Sequence, residues 1–486
     1  MTQLSQATLS LLREKRVLIL GVGLTGLSCA RFLMKHNISF AVNDSREQPL
    51  AEPVEFKRNY PQTQLSVGCW DEKLIAQAEI ILASPGVDLT EPVIAKAISA
   101  NCLIWGDVEL YCRLTSTPIL AVTGSNGKST VVSLLTYLGK ALGHQTELGG
   151  NIGVPVLDHL TENVDDDDIN TAKIATQNIE ILVLELSSFQ LETLKSMKAI
   201  AATVLNVSDD HLDRHLTMKN YQAIKQGIYL QSATAIFNRD DSATYLMPDL
   251  MAELNAKSGQ TNEKTKVLSF GSDKPEQGHF GIALIEQQNY LMFGEQPLIA
   301  INDLPLAGIH NALNYLAVLA LGYSAGWSLT AMVDNLSGFI GLAHRCQKIE
   351  SADNIVWIND SKATNVGATL AAITGFSKIM QPTEKLILIA GGEGKGADFT
   401  PLQAAISAHV NHVITIGKDG NKIASLCQNS IQASSLEQAV VEARKIARSQ
   451  DVVLLSPACA SLDMFKNFAQ RGQVFIDAVQ EFKAVS

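Results

Sequence analysis

The residues with the clearest chemistry lie in the stretch AVTGSNGKST, residues 121–130. The common phosphate-loop pattern, G-x-x-x-x-G-K-[ST], would place its first glycine at position 122. Val122 stands there, and Gly124 comes two residues later. The physics of such a loop survives the shortening. Gly124 and Gly127 permit a tight turn whose backbone N–H groups converge, Ser125 and Asn126 fill it, and Lys128, Ser129 and Thr130 open a helix whose positive end faces phosphates. Lys128 has the reach for β- and γ-phosphates, and the Ser129 hydroxyl can ligate Mg²⁺. A second glycine loop, GVGLTG at 21–26, follows the apolar VLIL, and Asp44 ends the next apolar run. Alone, this reads as a dinucleotide loop with Asp44 on a ribose hydroxyl. A second nucleoside-diphosphate ligand fits the same loop, and no hydride-transfer site accompanies it.

Two further blocks carry acids at the ends of apolar runs. LELSSFQLE (184–192) puts Glu185 where ligands of open α/β sheets gather, so Glu185 is a candidate Mg²⁺ ligand beside the phosphate loop. NVSDDHLDRH (206–215) places His211 among carboxylates at another run's end. Together they point to a metal–phosphate centre. The run DDDD at 165–168 lacks the turn chemistry of a calcium loop and reads as a solvated surface loop.

The elements that must position these residues repeat along the chain. VLIL (17–20), SFAVND (39–44), EIILAS (79–84), PILAVTG (118–124), IEILVLELS (179–187), ATVLNV (202–207), IVWIND (355–360), KLILIAGG (385–392), HVITIG (412–417) and DVVLLSP (451–457) each precede a helical pattern. Strands apolar throughout and alternating with helices predict α/β architecture with parallel sheets covered on both faces. At 486 residues the chain exceeds one compact core. Breaks at RLTSTP (113–118) and SGFIGLAHR (337–345) divide it into three domains, 1–110, 111–341 and 342–486.

Composition excludes several classes. A formal charge of −11 opposes nucleic-acid binding as the main activity. No apolar run is long enough to cross a bilayer, and the first fifteen residues predict no secretory signal. Seven cysteines without a C-x-x-C or Cys/His cluster predict a reducing cytoplasm, with neither a disulfide framework nor a zinc site.

In order, TGSNGKST, GGNIG (149–153), LELSSFQLE, NVSDDHLDRH, IHNALNYLA, LAHR, WINDSKATN, GGEGKGADF and LLSPACASLD resemble the blocks of the Mur ligases, from about residue 17 to residue 480. The shortened phosphate loop is that family's own form. Folylpolyglutamate synthetases share it, so the loop alone marks the superfamily. GVGLTGLSCARF and the last three blocks are similar to the members that add D-glutamate, and the acidic segment near 161–178 resembles an insertion.

The resemblance implies an N-terminal Rossmann-like domain for a UDP-sugar, a central P-loop-type ATPase domain and a C-terminal Rossmann-like domain. It implies a monomeric, cytoplasmic ATP-dependent amide ligase that joins D-glutamate to UDP-N-acetylmuramoyl-L-alanine through an acyl phosphate, in peptidoglycan precursor synthesis. By the same resemblance two Mg²⁺ ions are expected, held by Ser129, Glu185, His211 and a carbamylated Lys225. ATP would also meet His310, Asn311, Arg345, Asp360 and Lys362. The sugar nucleotide would lie on Leu24, Thr25, Asp44, Ser45, Arg46, Ser84, Gly86 and Asn151. D-glutamate would lie on Thr364, Lys395, Ser461, Leu462 and Phe468. Ala343, Glu393 and Ser45 depart from the family pattern without removing a named chemical group. Rival readings are a ligase with another acceptor, an NAD-dependent oxidoreductase, and an ATPase that ligates nothing. The N-terminal glycine loop and LLSPACASLD count against the first, the second leaves TGSNGKST and WINDSKATN unexplained, and the third predicts ATP turnover independent of any amino acid.

Overall fold

The computed structural model describes residues 4–50, 53–160, 179–210, 212–252, 265–306, 308–339, 341–377, 380–381 and 383–481. His211 and the acidic run at 165–168 lie outside them. The first sheet comprises β1 (Val17–Leu20), β2 (Phe40–Asp44), β3 (Gln64–Val67), β4 (Ile80–Ala83) and β5 (Leu103–Trp105), in the order β3-β2-β1-β4-β5, all parallel. The second comprises β6 (Ile119–Thr123), β7 (Thr146–Gly150), β8 (Ile181–Glu185), β9 (Ala199–Val204), β10 (Ser232–Asn238) and β11 (Lys266–Phe270), in the order β11-β10-β9-β6-β8-β7, also parallel. VLIL and ILAVT are buried at every position because helices cover both faces of their sheets.

Two antiparallel departures were not legible as such. β12 (Phe280–Ile285), β13 (Gln288–Phe293) and β14 (Gln296–Ala300) form an antiparallel sheet, turning at Glu286 and Gln287 with φ of 48° and 67°. Those left-handed positions are usually Asn or Gly in a two-residue hairpin, so the turn signal was missing. The last sheet holds β15 (Gln347–Ile349), β16 (Val356–Asn359), β17 (Leu386–Gly391), β18 (His412–Ile416), β19 (Ser430–Gln432) and β20 (Val452–Leu455), in the order β15-β16-β20-β17-β18-β19. In it β15 alone runs antiparallel, against β16. The expected strand at 202–207 is β9, which starts earlier and ends at Val204, leaving Asn206 and Ser208 in the loop beyond it.

Each large sheet reverses its order beside one strand end. β1 lies between β2 and β4, β6 between β8 and β9, and β20 between β16 and β17. Open sheets collect ligands at the carboxyl ends of strands flanking such a switch point. Both glycine loops and the loops after β16, β17 and β20 occupy these positions. The apolar core is shared unevenly. One cluster runs from Leu12, Ile19 and Phe32 through Tyr111 to Leu184 and Val204, so the first two sheets share a core. The last sheet is filled by clusters of its own, around Trp357 and Phe475 on one face and Leu388 and Leu402 on the other. Among the described residues, no helix is long and apolar enough to cross a membrane.

Candidate active site

After β6 the chain turns through Gly124–Gly127 into the helix Lys128–Ala141. Gly127 has φ of 84°, and a Cβ there would come within 2.6 Å of Asn314 Oδ1, so only glycine suits the turn. The helix start carries no side-chain cap, which leaves its first N–H groups for an anion. The loop is braced from β9's exit. Asn126 N donates to Asn206 Oδ1 at 2.8 Å, and Asn206 Nδ2 donates to Asn126 O at 3.1 Å. Ser125 Oγ donates to Ser208 O at 3.0 Å and accepts from Ser208 N at 2.9 Å. Thr130 is buried behind the loop. Lys128 Nζ donates to Gly124 O at 2.7 Å and Ser125 O at 3.0 Å, across the turn it would serve.

Around this loop four basic side chains, Lys128, Lys225, Arg345 and Lys362, stand among the acids Glu185, Asp210 and Asp360. Glu185, at the end of β8, is buried, and its Oε1 accepts from Asn151 Nδ2 at 2.8 Å. Glu185 Oε2 is also buried and has no hydrogen-bond partner among the described residues. Lys128, Lys225, Arg345 and Lys362 all feel the Glu185 charge. Burial pulls the Lys128 ammonium below the ordinary lysine range, opposed by Glu185 and Asp210. Lys225, under the turn, is 1% exposed; its Nζ donates to Gly124 O at 3.0 Å and lies 4.6 Å from the centre of the Tyr221 ring. Burial first, then Lys128, drives Lys225 well below that range. Buried like charges are costly without a counter-charge, so the cluster is built for a polyanion. The bare Oε2 beside it suits a hard cation such as Mg²⁺. Among the described residues no three His, Cys, Asp or Glu side chains could hold an ion by themselves. An ion here would take its other oxygens from phosphates, hydroxyls and water.

The last sheet reaches the loop through Arg345, whose Nη2 donates to Ser129 Oγ at 2.7 Å. Burial lowers the Arg345 pKa, while Glu185 and Asp360 raise it. His310 packs against the helix Val366–Ser377, where a Cβ on Gly375 would meet its Cε1 at 2.9 Å. Asn311, buried one residue on, accepts from Asn314 Nδ2 at 3.4 Å. Lys362 Nζ lies 3.9 Å from the centre of the Phe468 ring, and burial lowers its pKa to about 8.

Asp360 accepts from Ser456 Oγ at 2.9 Å and Cys346 N at 3.3 Å, and burial pushes its pKa up to about 7. The folded pKa therefore stands above the ordinary carboxyl value of about 3.9, and the folded state keeps the proton longer. The stability that this one group contributes is fully present below that ordinary value and is lost as pH rises through the folded pKa. Asp360→Asn removes the loss, because its amide can donate to Ser456 Oγ while its oxygen still accepts from Cys346 N. We expect its gain in unfolding free energy to be about 3 kcal/mol larger near pH 8 than near pH 4.5. Urea unfolding of both proteins at the two pH values checks this, and equal gains would contradict it.

The remaining expected residues are placed less completely. Ser461 is buried, Leu462 is 60% exposed, and Thr364 and Lys395 are exposed, Lys395 with φ of 50°. The bridge between Glu393 and Ala460 brings the Lys395 and Ser461 loops side by side. The sugar-nucleotide set forms its own group at the first sheet. A Cβ on Gly26 would overlap the Gly21 carbonyl oxygen, and Ser84 Oγ donates to that oxygen at 2.9 Å. Asp44 Oδ2 accepts from Val22 N at 2.9 Å, and the Arg46 guanidinium pairs with the same carboxylate, which holds it below the usual range against the opposing effect of burial. Leu24, Ser45, Arg46 and Gly86 are exposed, and Thr25 half-buried. Among the described residues, no hydrogen bond joins Leu24, Thr25, Asp44, Ser45, Arg46, Ser84 or Gly86 to the phosphate loop. Asn151 stands apart from this group, hydrogen-bonded to Glu185 at the end of β8.

Sequence reasoning missed Asn206, Ser208, Tyr221 and Arg471. The first two stand in the NVSDDHLDRH block after an apolar run, which was signal enough. Arg471 carried none, being a helix residue far along the chain from its partners. It is fully buried, and donates to Ser361 Oγ at 3.0 Å, Ser361 O at 2.8 Å and Cys459 O at 3.1 Å. It thereby ties the Asp360–Lys362 loop to the loop before Ser461. Burial lowers its pKa to about 10, leaving it charged.

Comparison with known proteins follows the same three-part division. Residues 15–106 match the Mur ligase MurD-like N-terminal domain, 122–322 the Mur ligase middle domain and 344–459 the Mur ligase glutamate ligase domain. The UDP-N-acetylmuramoylalanine–D-glutamate ligase of Colwellia psychrerythraea is 54% identical over 480 residues, covering 97% of this chain and 98% of the relative. The enzyme of that name from Legionella pneumophila (strain Lens) is 42% identical, covering 95% and 98%. The crystal structure of MurF from Acinetobacter baumannii superposes with a TM-score of 0.58 at 14% identity, covering 98% of this chain and 99% of its own, which is a likeness of fold. With near-full-length identity above half to one relative and all three domains matched in order, this chain belongs to the Mur ligase family.

Proposed function

We propose that the protein is an ATP-dependent ligase that adds D-glutamate to UDP-N-acetylmuramoyl-L-alanine in peptidoglycan precursor synthesis. The observation that carries this is the convergence of Lys128, Lys225, Arg345 and Lys362 on Glu185 at the phosphate loop. The names of the relatives supply the substrates.

In the first step a carboxylate oxygen of the alanyl group attacks the γ-phosphorus of ATP. An O–P bond forms, the bond from the γ-phosphorus to the bridging oxygen breaks, and ADP leaves. Two anions must approach each other, so Lys128, Arg345 and Lys362 offset their repulsion while the loop amides hold the phosphates. The D-glutamate amine then attacks the acyl-phosphate carbon. A C–N bond forms, phosphate departs, and the nitrogen loses a proton. Positioning by three sheets supplies much of the rest. Lys395 and Ser461, with Thr364, Leu462 and Phe468, are proposed to seat D-glutamate, and Leu24, Thr25, Asp44, Ser45, Arg46, Ser84, Gly86 and Asn151 the sugar nucleotide. His310, Asn311 and Asp360 are proposed to border ATP.

Ser129 and Glu185 would hold Mg²⁺, joined by His211 and a carbamylated Lys225. When bound, the ion supplies charge neutralisation on the phosphates. The spans of the sheets support domain boundaries near residues 110 and 341. The reading places a monomer in the cytoplasm, where ATP is at hand.

Phosphate release from ATP and Mg²⁺ with UDP-N-acetylmuramoyl-L-alanine is the test. Release is expected only when D-glutamate is present, with L-glutamate inert. Release indifferent to the amino acid would leave an ATPase and overturn the reading.

A further inference from the structure

Arg214 follows the NVSDDH block in the short helix Leu212–His215 and has a side chain only 12% exposed. Its Nη2 donates to the Val87 carbonyl at 3.0 Å and to Glu192 Oε2 at 2.8 Å, and its Nη1 lies 3.4 Å from Asp88 Oδ1. Its guanidinium sits 5.6 Å from the Phe189 ring centre. Val87 and Asp88 belong to the turn after β4 that carries Ser84 and Gly86. Phe189 and Glu192 belong to the helix Ser188–Thr193, which follows Glu185. One side chain emerging beyond β9 thus joins the first sheet's turn to the second sheet's helix. Between that turn and that helix is a cavity lined by Ser84, Val87, Asp107, Phe189, Gln190 and Glu192. The adjacent His215 is buried, 2.8 Å from Ser188 Oγ and 3.5 Å from Glu192 Oε1, so the same helix is gripped twice.

We propose that Arg214 is a positioning residue for the sugar-nucleotide substrate, holding the Ser84–Asp88 turn against the helix Ser188–Thr193 so that the cleft between the first two sheets is preformed. The proposal rests on the ligase reading above. A planar guanidinium with several fixed donors serves a carbonyl and two carboxylates together; an ammonium is a single point charge. The two sheets also share a core, so losing Arg214 frees the turn without separating the sheets. The cost then falls on binding, because the turn must be ordered when the ligand arrives.

The test is calorimetric titration of the full chain with UDP-N-acetylmuramoyl-L-alanine, without ATP, beside a separate titration with ATP and Mg²⁺. Arg214→Met keeps the apolar stem and is expected to weaken sugar-nucleotide binding about tenfold. ATP affinity should stay within about twofold, as among the described residues no hydrogen bond or ion pair joins Arg214 to the phosphate loop. Arg214→Lys can hold Glu192 but not Val87 as well, and should lie between the two; it serves alone should the methionine variant not fold. Unchanged sugar-nucleotide affinity in a folded variant, or equal weakening for ATP, overturns the proposal. Wild-type protein that fails to bind the sugar nucleotide overturns the ligase reading itself, and the proposal with it.

Discussion

Lys128→Ala is expected to lower glutamate-dependent phosphate release on the order of 10³-fold while the protein stays folded. The lysine's folded-state contacts are two hydrogen bonds to carbonyls of its own loop, from a side chain that is only half-buried. Their net contribution to stability is about 1–3 kcal/mol. The turn has other braces in Asn206 and Ser208, and its geometry depends on Gly127. On the proposed reading, what disappears is the cation that would face the migrating phosphoryl group, in a site where charge is poorly screened. Initial rates together with a melting curve test this. A folded variant with near-normal turnover would remove the phosphate loop from the mechanism.

Lys225→Ala should cost about 10²–10³-fold in turnover and, unlike Lys128→Ala, be partly restored by formate or acetate. Lys225 is buried under Gly124, and its ammonium is disfavoured by burial and by Lys128. A neutral amine is the form that adds to carbon dioxide. The N–C bond forms, one oxygen takes up the electron pair, and the nitrogen gives up a proton. The product is an anion, which turns the repulsion from Lys128 into attraction. Truncation opens room beside Tyr221 and Thr123 in which a small carboxylate can stand for the lost carbamate. Rates measured across a carboxylate concentration series decide the matter, and a flat response would exclude an anionic role for residue 225.

Much of the site could be read from local patterns. Apolar runs such as VLIL, ILVLE and LILIAG predicted parallel strands, because a strand covered on both faces has no polar positions to interrupt it. The residues after those runs then fell at strand exits, where open sheets collect ligands. Glu185 and both glycine loops were found this way, whereas Asp360 came only from the family resemblance. The hairpin at Glu286–Gln287 escaped, since its turn uses residues that seldom take a left-handed conformation.

Family and chemistry were set by the sequence itself. Block order, glycine spacing and strand-end acids are local features, and each depends on neighbours within a few residues. Tertiary structure alone decided which charges meet. Arg345 reaches Ser129 across 216 positions of chain, Arg214 reaches Val87 across 127, and Arg471 reaches Ser361 across 110. No periodicity encodes such pairings. They arise when separate sheets pack, and burial then decides which lysine keeps its proton and which carboxylate oxygen is left for an ion.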